Sequence, residues 1–538
     1  MTAFDYIIVG AGAAGCVLAN RLSADPSVSV LLLEAGGRDR NPYIQIPAAF
    51  SKLFRTAADW NYEAEGPLPG QSQYWPRGKV LGGSDSINAM MYVRGHAHDF
   101  DHWAALGNPG WSYADVLPYF RRAEDNRTPD APSLGQGGPL HIDAPRSVNP
   151  LTQAFVAASQ SLGLAPNPDY NGPNQDGVAF TALKQKNGSR WSAAAAYLKP
   201  ALSRPNLTVQ THAQVSRILF EGRRASGVEY RSGGVRQSHA RREVILCGGA
   251  INSPQLLMLS GIGPAAHLRE HGIDLIADLP GVGQNLQDHP ASGTSFACTQ
   301  PVTLVNGEKL PALLAYLARR RGPLTSNVAE AIAFIRTRAG ISAPDIEIIF
   351  APTYFDYHGF RSPKGHGFTV GSILLRPKSR GQITLRSADP FTAPLIQPRY
   401  FSDPDDLATM VEGVKFTRQI ANAAPFDAYR GSEAMPGAAA YTDAELGDYV
   451  RERFQSLYHP VGTCKMGIDS DPLAVVDPQL RVRGVDGLRV VDASVMPTLI
   501  GGHTVAPTIM IAEKAADLIR GQAFFSPSRR CGGGASTN

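Results

Sequence analysis

The sequence predicts an α/β protein whose first unit is a Rossmann-like β-α-β fold built to hold a dinucleotide. Three observations in the first forty residues carry this. A β-branched run, Tyr6-Ile7-Ile8-Val9, leads directly into Gly10-Ala11-Gly12-Ala13-Ala14-Gly15. Cys16 to Leu22 then has the apolar spacing of a helix, and a second apolar run, Ser27 to Leu33, ends on Glu34. Each part has a mechanical task. Gly10 permits the tight turn, Gly12 lets backbone approach a pyrophosphate, and Gly15 lets the helix lie close against the strand. The first amides of that helix, at Ala13 and Ala14, offer donors and a positive dipole end to phosphates. Glu34, with Ala35 beside it, can accept both hydroxyls of an adenosine ribose, and its charge disfavours the 2′-phosphate of NADP. These residues do not separate FAD from NAD.

Composition narrows the partners. Lys plus Arg is 51 and Asp plus Glu 47 in 538 residues, a net charge of +4. That is too balanced to imply nucleic acid or an anionic membrane as the main partner. Apolar residues at 43% support a substantial core. The five cysteines are widely spaced without a C-x-x-C pair, which argues against a disulfide framework or a thiolate zinc site and favours a reducing compartment. No apolar run reaches membrane-spanning length, so no integral membrane segment is expected. The apolar stretch 6–19 has no basic residue before it and contains three glycines, which suits a buried strand and turn better than a signal peptide. The cytoplasm is the expected location.

Four further segments settle the cofactor. They are Gly78-Lys79-Val80-Leu81-Gly82-Gly83-Ser84-Asp85-Ser86-Ile87-Asn88-Ala89-Met90-Met91, the run from Gly248 to Pro264, His459-Pro460-Val461-Gly462-Thr463, and Gly501-Gly502-His503-Thr504-Val505-Ala506-Pro507. In this order the chain closely resembles the glucose–methanol–choline (GMC) oxidoreductases, FAD-dependent enzymes that oxidise alcohols, and most of all their bacterial choline-dehydrogenase-like branch. The resemblance covers nearly the whole chain, from about residue 4 to about 520. It implies a Rossmann-like FAD domain of GMC type and a second, substrate-binding domain on an antiparallel sheet. It also implies that Gly82, Gly83, Ser84, Asn88, Ala89, Met90 and Met91 lie against the pyrophosphate and isoalloxazine. Val215 matches the position packed near the adenine, and Asp492 with Ala493 the strand end returning to the phosphates; Thr504 and Val505 follow His503 at the flavin. Some relatives attach flavin covalently through a His; Ile87 stands at that position, so non-covalent FAD is expected. Asp85 departs from the family, which usually has a small residue there, and leaves an extra carboxylate that either tunes the flavin or points to solvent.

Alcohol oxidation needs a hydride acceptor, a group to take the hydroxyl proton, and a geometry that holds carbon against the acceptor. Imidazole is the side chain whose ordinary pKa suits the proton step. Thirteen histidines make any single one uninformative. By resemblance His459 matches the catalytic base, and His503 the second hydrogen-bonding partner of the substrate oxygen, a position where choline enzymes carry Asn. The expected reaction is oxidation of a small, uncharged primary alcohol, aryl or furanic, with O2 or a quinone or artificial acceptor taking the electrons. Choline dehydrogenase is the close alternative, although no aromatic-plus-Glu box for a trimethylammonium can be placed. A hydroxynitrile-lyase-like activity shares the fold, and a flavin-carrying sensor would keep residues 10–34 without needing both histidines.

Mapped onto the chain, the FAD domain takes 1–150, 190–300 and 455–522, the substrate-binding domain 151–189 and 301–454, and 523–538 reads as a disordered tail. Runs such as Ile346-Glu347-Ile348-Ile349-Phe350 and 381–386 suit strands with one buried face. Several segments read as structural. His96-Ala97-His98-Asp99 suits a solvated helix start rather than a metal site, and Gly281 to His289 a turn. Arg319 to Arg321 suits a solvated helix end, and Cys464 a packing residue rather than a nucleophile. Tyr354 to His358 fits a pocket wall or a surface turn equally.

Overall fold

The computed structural model describes residues 3–521 except 129, 362 and 438; the expected tail, 523–538, lies outside the described residues. Two seven-stranded sheets organise the chain. In the first, Ala3–Val9 pairs in parallel with Val30–Leu33 on one side and with Val235–Leu246 on the other, and Leu207–Gln210 extends the parallel set. Arg224–Arg231 and Gln214–Glu221 continue it antiparallel, while Leu488–Val490 returns to pair in parallel with Val235–Leu246. Val30–Leu33 is buried throughout, as expected where helices cover a parallel sheet on both faces. The expected strand 207–220 is divided into Leu207–Gln210 and Gln214–Glu221. His212 between them has a positive φ of 54°, which turns the chain out of one ladder and into the next.

The helix Ala13–Leu22 follows the glycine turn. A Cβ on Gly15 would lie 1.9 Å from the Gly10 carbonyl oxygen, so only glycine lets this helix sit so close to its strand. Gly10 has φ 102°, and a Cβ there would meet the Cys247 carbonyl oxygen at 2.5 Å.

The second sheet is antiparallel, in the order Arg430–Met435, Pro290–Cys298, Gly367–Leu374, Ile346–Ala351, Ala331–Ile335, Gly177–Phe180, with Gln455–Ser456 also paired to Pro290–Cys298. One of its strands, Pro290–Cys298, starts inside the segment 190–300 expected to serve the first unit. The helix Pro404–Asn422 packs on one face of the sheet, against Gly367–Leu374 and Pro290–Cys298. The opposite face, carrying Ile349, Ala351, Thr369, Gly371, Gly293 and Ser295, lines a cavity. Ile346–Ala351 therefore has no solvent face, contrary to the one-sided strand expected; Glu347 is fully buried. The run 381–386 forms Gln382–Thr384 in a separate two-stranded ladder with Leu395–Gln397.

Candidate active site

One cavity is lined both by the glycine turn and by the two histidines. Gly10, Gly12, Ala13, Ala14, Glu34, Ala35, Gly83, Ser84, Asn88, Ala89, Met90, Met91, Val215, Asp492, Ala493, His459, His503, Thr504 and Val505 all line it. Two residues expected at the cofactor stand behind this wall. Gly15 is spent on the helix–strand contact. Gly82, at φ 91°, donates its N–H to the Ala11 carbonyl at 2.7 Å and so ties the second glycine loop to the first. A Cβ on Gly83 would reach the Gly12 Cα at 2.7 Å, so both loops need bare backbone where they meet.

The donor set fits an adenine dinucleotide. Glu34 accepts the Ala11 and Gly36 amides at 2.9 and 2.8 Å, which fixes the carboxylate at the cavity wall; burial pushes its pKa up to about 7. No side chain caps the helix Ala13–Leu22 at Gly12, so its first amides remain for an anion. Asp492 is held by four donors: the Gly249 amide, Ser253 Oγ, and the amide and hydroxyl of Ser494. Its carboxylate therefore braces the strand end Leu488–Val490 against the helix Gly249–Leu259.

Asp85 neither faces solvent nor stands free. It is 3% exposed, ion-paired with the buried Lys184, and accepts the Ala193 amide at 2.7 Å and Asn88 Nδ2 at 3.1 Å. Asn88 in turn accepts Arg190 Nη1 at 2.7 Å. The departure from the family pattern is thus a buried brace for the second glycine loop. Asp85→Asn leaves the Lys184 ammonium buried without its counter-charge and is expected to lower stability by about 3–5 kcal/mol. Urea unfolding of the variant against the parent checks this.

The two histidines converge. Their ring centroids are 4.8 Å apart at 75°. His459 follows Tyr458, whose φ of 66° turns the chain sharply after Gln455–Ser456. Its amide donates to Asp288 Oδ1 at 2.7 Å, and Asp288 also holds Ser456 and Tyr400. His503 stands just before Thr504, the cap of the helix Val505–Ile519, and its Nε2 meets Glu347 Oε1 at 2.8 Å. The second oxygen of Glu347 has no hydrogen-bond partner.

A third imidazole, His289, decides the protonation pattern of the pair. His289 Nε2 faces the Leu375 carbonyl oxygen at 3.1 Å, and a carbonyl only accepts, so this nitrogen carries the proton. Burial, with His503 nearby, holds the His289 pKa down to about 3, so the ring is neutral and its Nδ1 is bare. His459 Nδ1, 3.0 Å from that nitrogen, must therefore be the donor, and the free lone pair of His459 is on Nε2. Burial, then the neighbouring His503 and His289, hold the His459 pKa well below 6.5. The ring is an uncharged base whose tautomer is set by a backbone carbonyl two hydrogen bonds away.

Neither His289 nor Glu347 belongs to a catalytic motif in the sequence. Gly281 to His289 reads as a turn, and Glu347 as one member of a strand. A signal was present in the second case: a lone acid inside the apolar run 346–350 is costly to bury without a partner. The segment 354–358 proves to be pocket wall: Phe355, Asp356 and Tyr357 line the cavity, and Tyr354 and His358 are buried. Phe50, Phe54 and Tyr458 join them, with Phe54 5.9 Å from Tyr458 and Phe50 6.2 Å from Phe355. His96 caps the helix Ala97–Ala105 in a reciprocal box with Asp99, which is also paired to Arg376. Cys464 is buried, which pushes its thiol well above the ordinary range, the reverse of an activated nucleophile.

A mixed sheet carrying the glycine turn, an antiparallel sheet roofing the cavity, and facing imidazoles between them match the class of FAD-dependent oxidoreductases acting on alcohol-type donors. The chain belongs to the GMC oxidoreductases: the family's two models match residues 4–291 and 377–512. It is 52% identical over 529 residues to an uncharacterised GMC-type oxidoreductase of Mycobacterium tuberculosis, covering 96% of this chain and 99% of that one. It is 48% identical to an oxygen-dependent choline dehydrogenase of Brucella ovis, over 98% of this chain and 97% of the other. Among solved structures it superposes on a pyridoxine 4-oxidase of Mesorbium loti with TM-score 0.89 at 34% identity, covering 97% of this chain and all of that one. No described helix is long and apolar enough to cross a membrane.

Proposed function

We propose that this chain oxidises a small, uncharged primary alcohol, aryl or furanic, to the aldehyde, with O2 or a quinone as electron acceptor. Non-covalently bound FAD supplies the hydride acceptor; the residue at the attachment position of some relatives, Ile87, has no nucleophilic atom. The observation that carries the reading is the His459–His503 pair on the cavity wall, 4.8 Å between centroids. His459 Nε2 takes the hydroxyl proton. His503 donates from its other nitrogen to the developing alkoxide while Glu347 holds Nε2, an arrangement that requires the His503–Glu347 pair to carry two protons, and the apolar walls exclude water. The division into an FAD domain of 1–150, 190–300 and 455–522 and a substrate-binding domain of 151–189 and 301–454 belongs to the same reading, except that the strand Pro290–Cys298 joins the second sheet.

Proton abstraction needs the neutral imidazole. Since the His459 pKa is held well below 6.5, the ring stays neutral as pH falls through that value. The acid limb of kcat/KM is accordingly expected below pH 6.5, and a limb at or above 6.5 would exclude His459 as the base. The substrate class is tested by an alcohol panel followed anaerobically as bleaching of the flavin and aerobically as peroxide.

One observation favours choline as a second reading. The cavity has the aromatic wall that could not be placed from sequence, Phe50, Phe54, Phe355, Tyr357 and Tyr458, with the carboxylate of Asp356 among them. Such rings attract a quaternary ammonium through their faces. Bleaching by choline but not by benzyl or furfuryl alcohol selects this reading.

A further inference from the structure

The helix Leu310–Arg319 is apolar on nearly every side, yet half of it is uncovered. Ala312 and Tyr316 are buried against the protein, and the Tyr316 hydroxyl donates to the Gln45 carbonyl at 3.0 Å. On the opposite side Leu310 is 66% exposed, Leu313 40%, Leu314 57% and Leu317 61%. These positions are three and four residues apart and so form one continuous stripe. A helix apolar all round is ordinarily enclosed, and four leucines on one exposed face call for a cover.

The charge around the stripe says what covers it. Lys309 stands at its start and Arg319, Arg320 and Arg321 at its end, and none of the four forms an ion pair among the described residues; Arg320 stacks on Tyr316 at 4.5 Å. Between residues 301 and 328 the only acid is Glu308, which lies 3.9 Å from Lys52. With cations at both ends, a second copy laid on this helix would bring cation against cation in either the parallel or the antiparallel sense. An anionic lipid surface meets both demands at once, since leucines enter the acyl boundary while Lys and Arg engage headgroups. At ten residues the helix is far too short to span.

We propose that Leu310–Arg319 is an in-plane docking helix by which the protein binds reversibly to anionic membrane surfaces. The net charge of +4 gives no hint of this, because the positive charge that matters is local. The helix packs on the 3-10 turn Pro323–Thr325, which in turn packs on Pro47–Leu53, the turn carrying the cavity residue Phe50. Docking would bring this side of the cavity to the bilayer, where apolar alcohols and quinones are concentrated. The docking itself does not depend on the substrate assignment.

The test is co-sedimentation of the FAD-loaded full chain with vesicles of phosphatidylcholine, or of phosphatidylcholine mixed with phosphatidylglycerol. Binding to the anionic vesicles is expected and should weaken with salt. Leu314→Asp with Leu317→Asp, and separately Arg319→Glu with Arg321→Glu, should each reduce it by roughly ten-fold or more, since each basic residue near such a surface strengthens binding several-fold. Flavin content, melting temperature and turnover of a water-soluble alcohol should be unchanged, because these side chains face solvent. Absence of binding to anionic vesicles, or binding indifferent to both pairs of substitutions, overturns the proposal. A dimer on size exclusion that the leucine substitutions convert to monomer also overturns it, in favour of a second copy as the cover.

Discussion

Replacing His459 with alanine is expected to slow flavin reduction by alcohol by about 10²–10⁴-fold, the range for loss of a positioned general base. The protein should remain yellow, because Glu34 and the Gly12 helix terminus, which we propose hold the dinucleotide, lie on other elements. Stopped-flow reduction under anaerobic substrate gives the rate, and the flavin-to-protein absorbance ratio gives the occupancy. Reduction at the parental rate in a fully loaded variant would remove His459 from the chemistry. The size of the effect follows from the surroundings. His459 faces the cavity rather than the outer surface, and the other imidazole that lines this cavity among the described residues, His503, has one nitrogen committed to Glu347.

The second large effect is expected at His289, which holds the base without reaching the substrate. His289→Leu removes the acceptor of the His459 Nδ1 proton. The buried N–H is then unsatisfied, and the ring gains by moving its proton to Nε2, the nitrogen that must be bare. A fall in kcat of about 10–10²-fold is expected, by analogy with other residues that set an imidazole tautomer. KM should change little, since His289 is not on the cavity wall. His289→Asn offers a side-chain oxygen close to the position of the lost Nδ1 and should recover much of the rate, whereas a purely structural role would leave Asn and Leu equally impaired. Lowering pH should not rescue His289→Leu, because the defect is the location of a proton and not its number.

The parts of this protein legible in the sequence are those encoded by neighbours in the chain. The strand Ala3–Val9, its glycine turn and the helix beginning at Ala13 are local: their residue types dictate turn, helix start and strand whatever else the chain does. Glu34 was legible for the same reason, since the end of the second strand lies a fixed distance from the turn. His459 and His503 were found through a resemblance, because their meeting depends on two segments that only the whole fold brings together. Asp85 shows the limit: its residue type was an evident departure, but its partner Lys184 is distant in the chain and invisible to any local pattern.

What the sequence by itself determined is the dinucleotide unit, the redox class, and two imidazoles as candidates for the proton step. Tertiary structure alone decided which nitrogen of His459 is bare, that Glu347 holds His503, that aromatic rings line the cavity, and that a leucine stripe is left uncovered. The reason is one of range. Backbone turns and amphipathic periods are set by residues a few positions apart, whereas a tautomer, a buried ion pair or an exposed face is a property of atoms from remote segments meeting in a medium from which water has been removed.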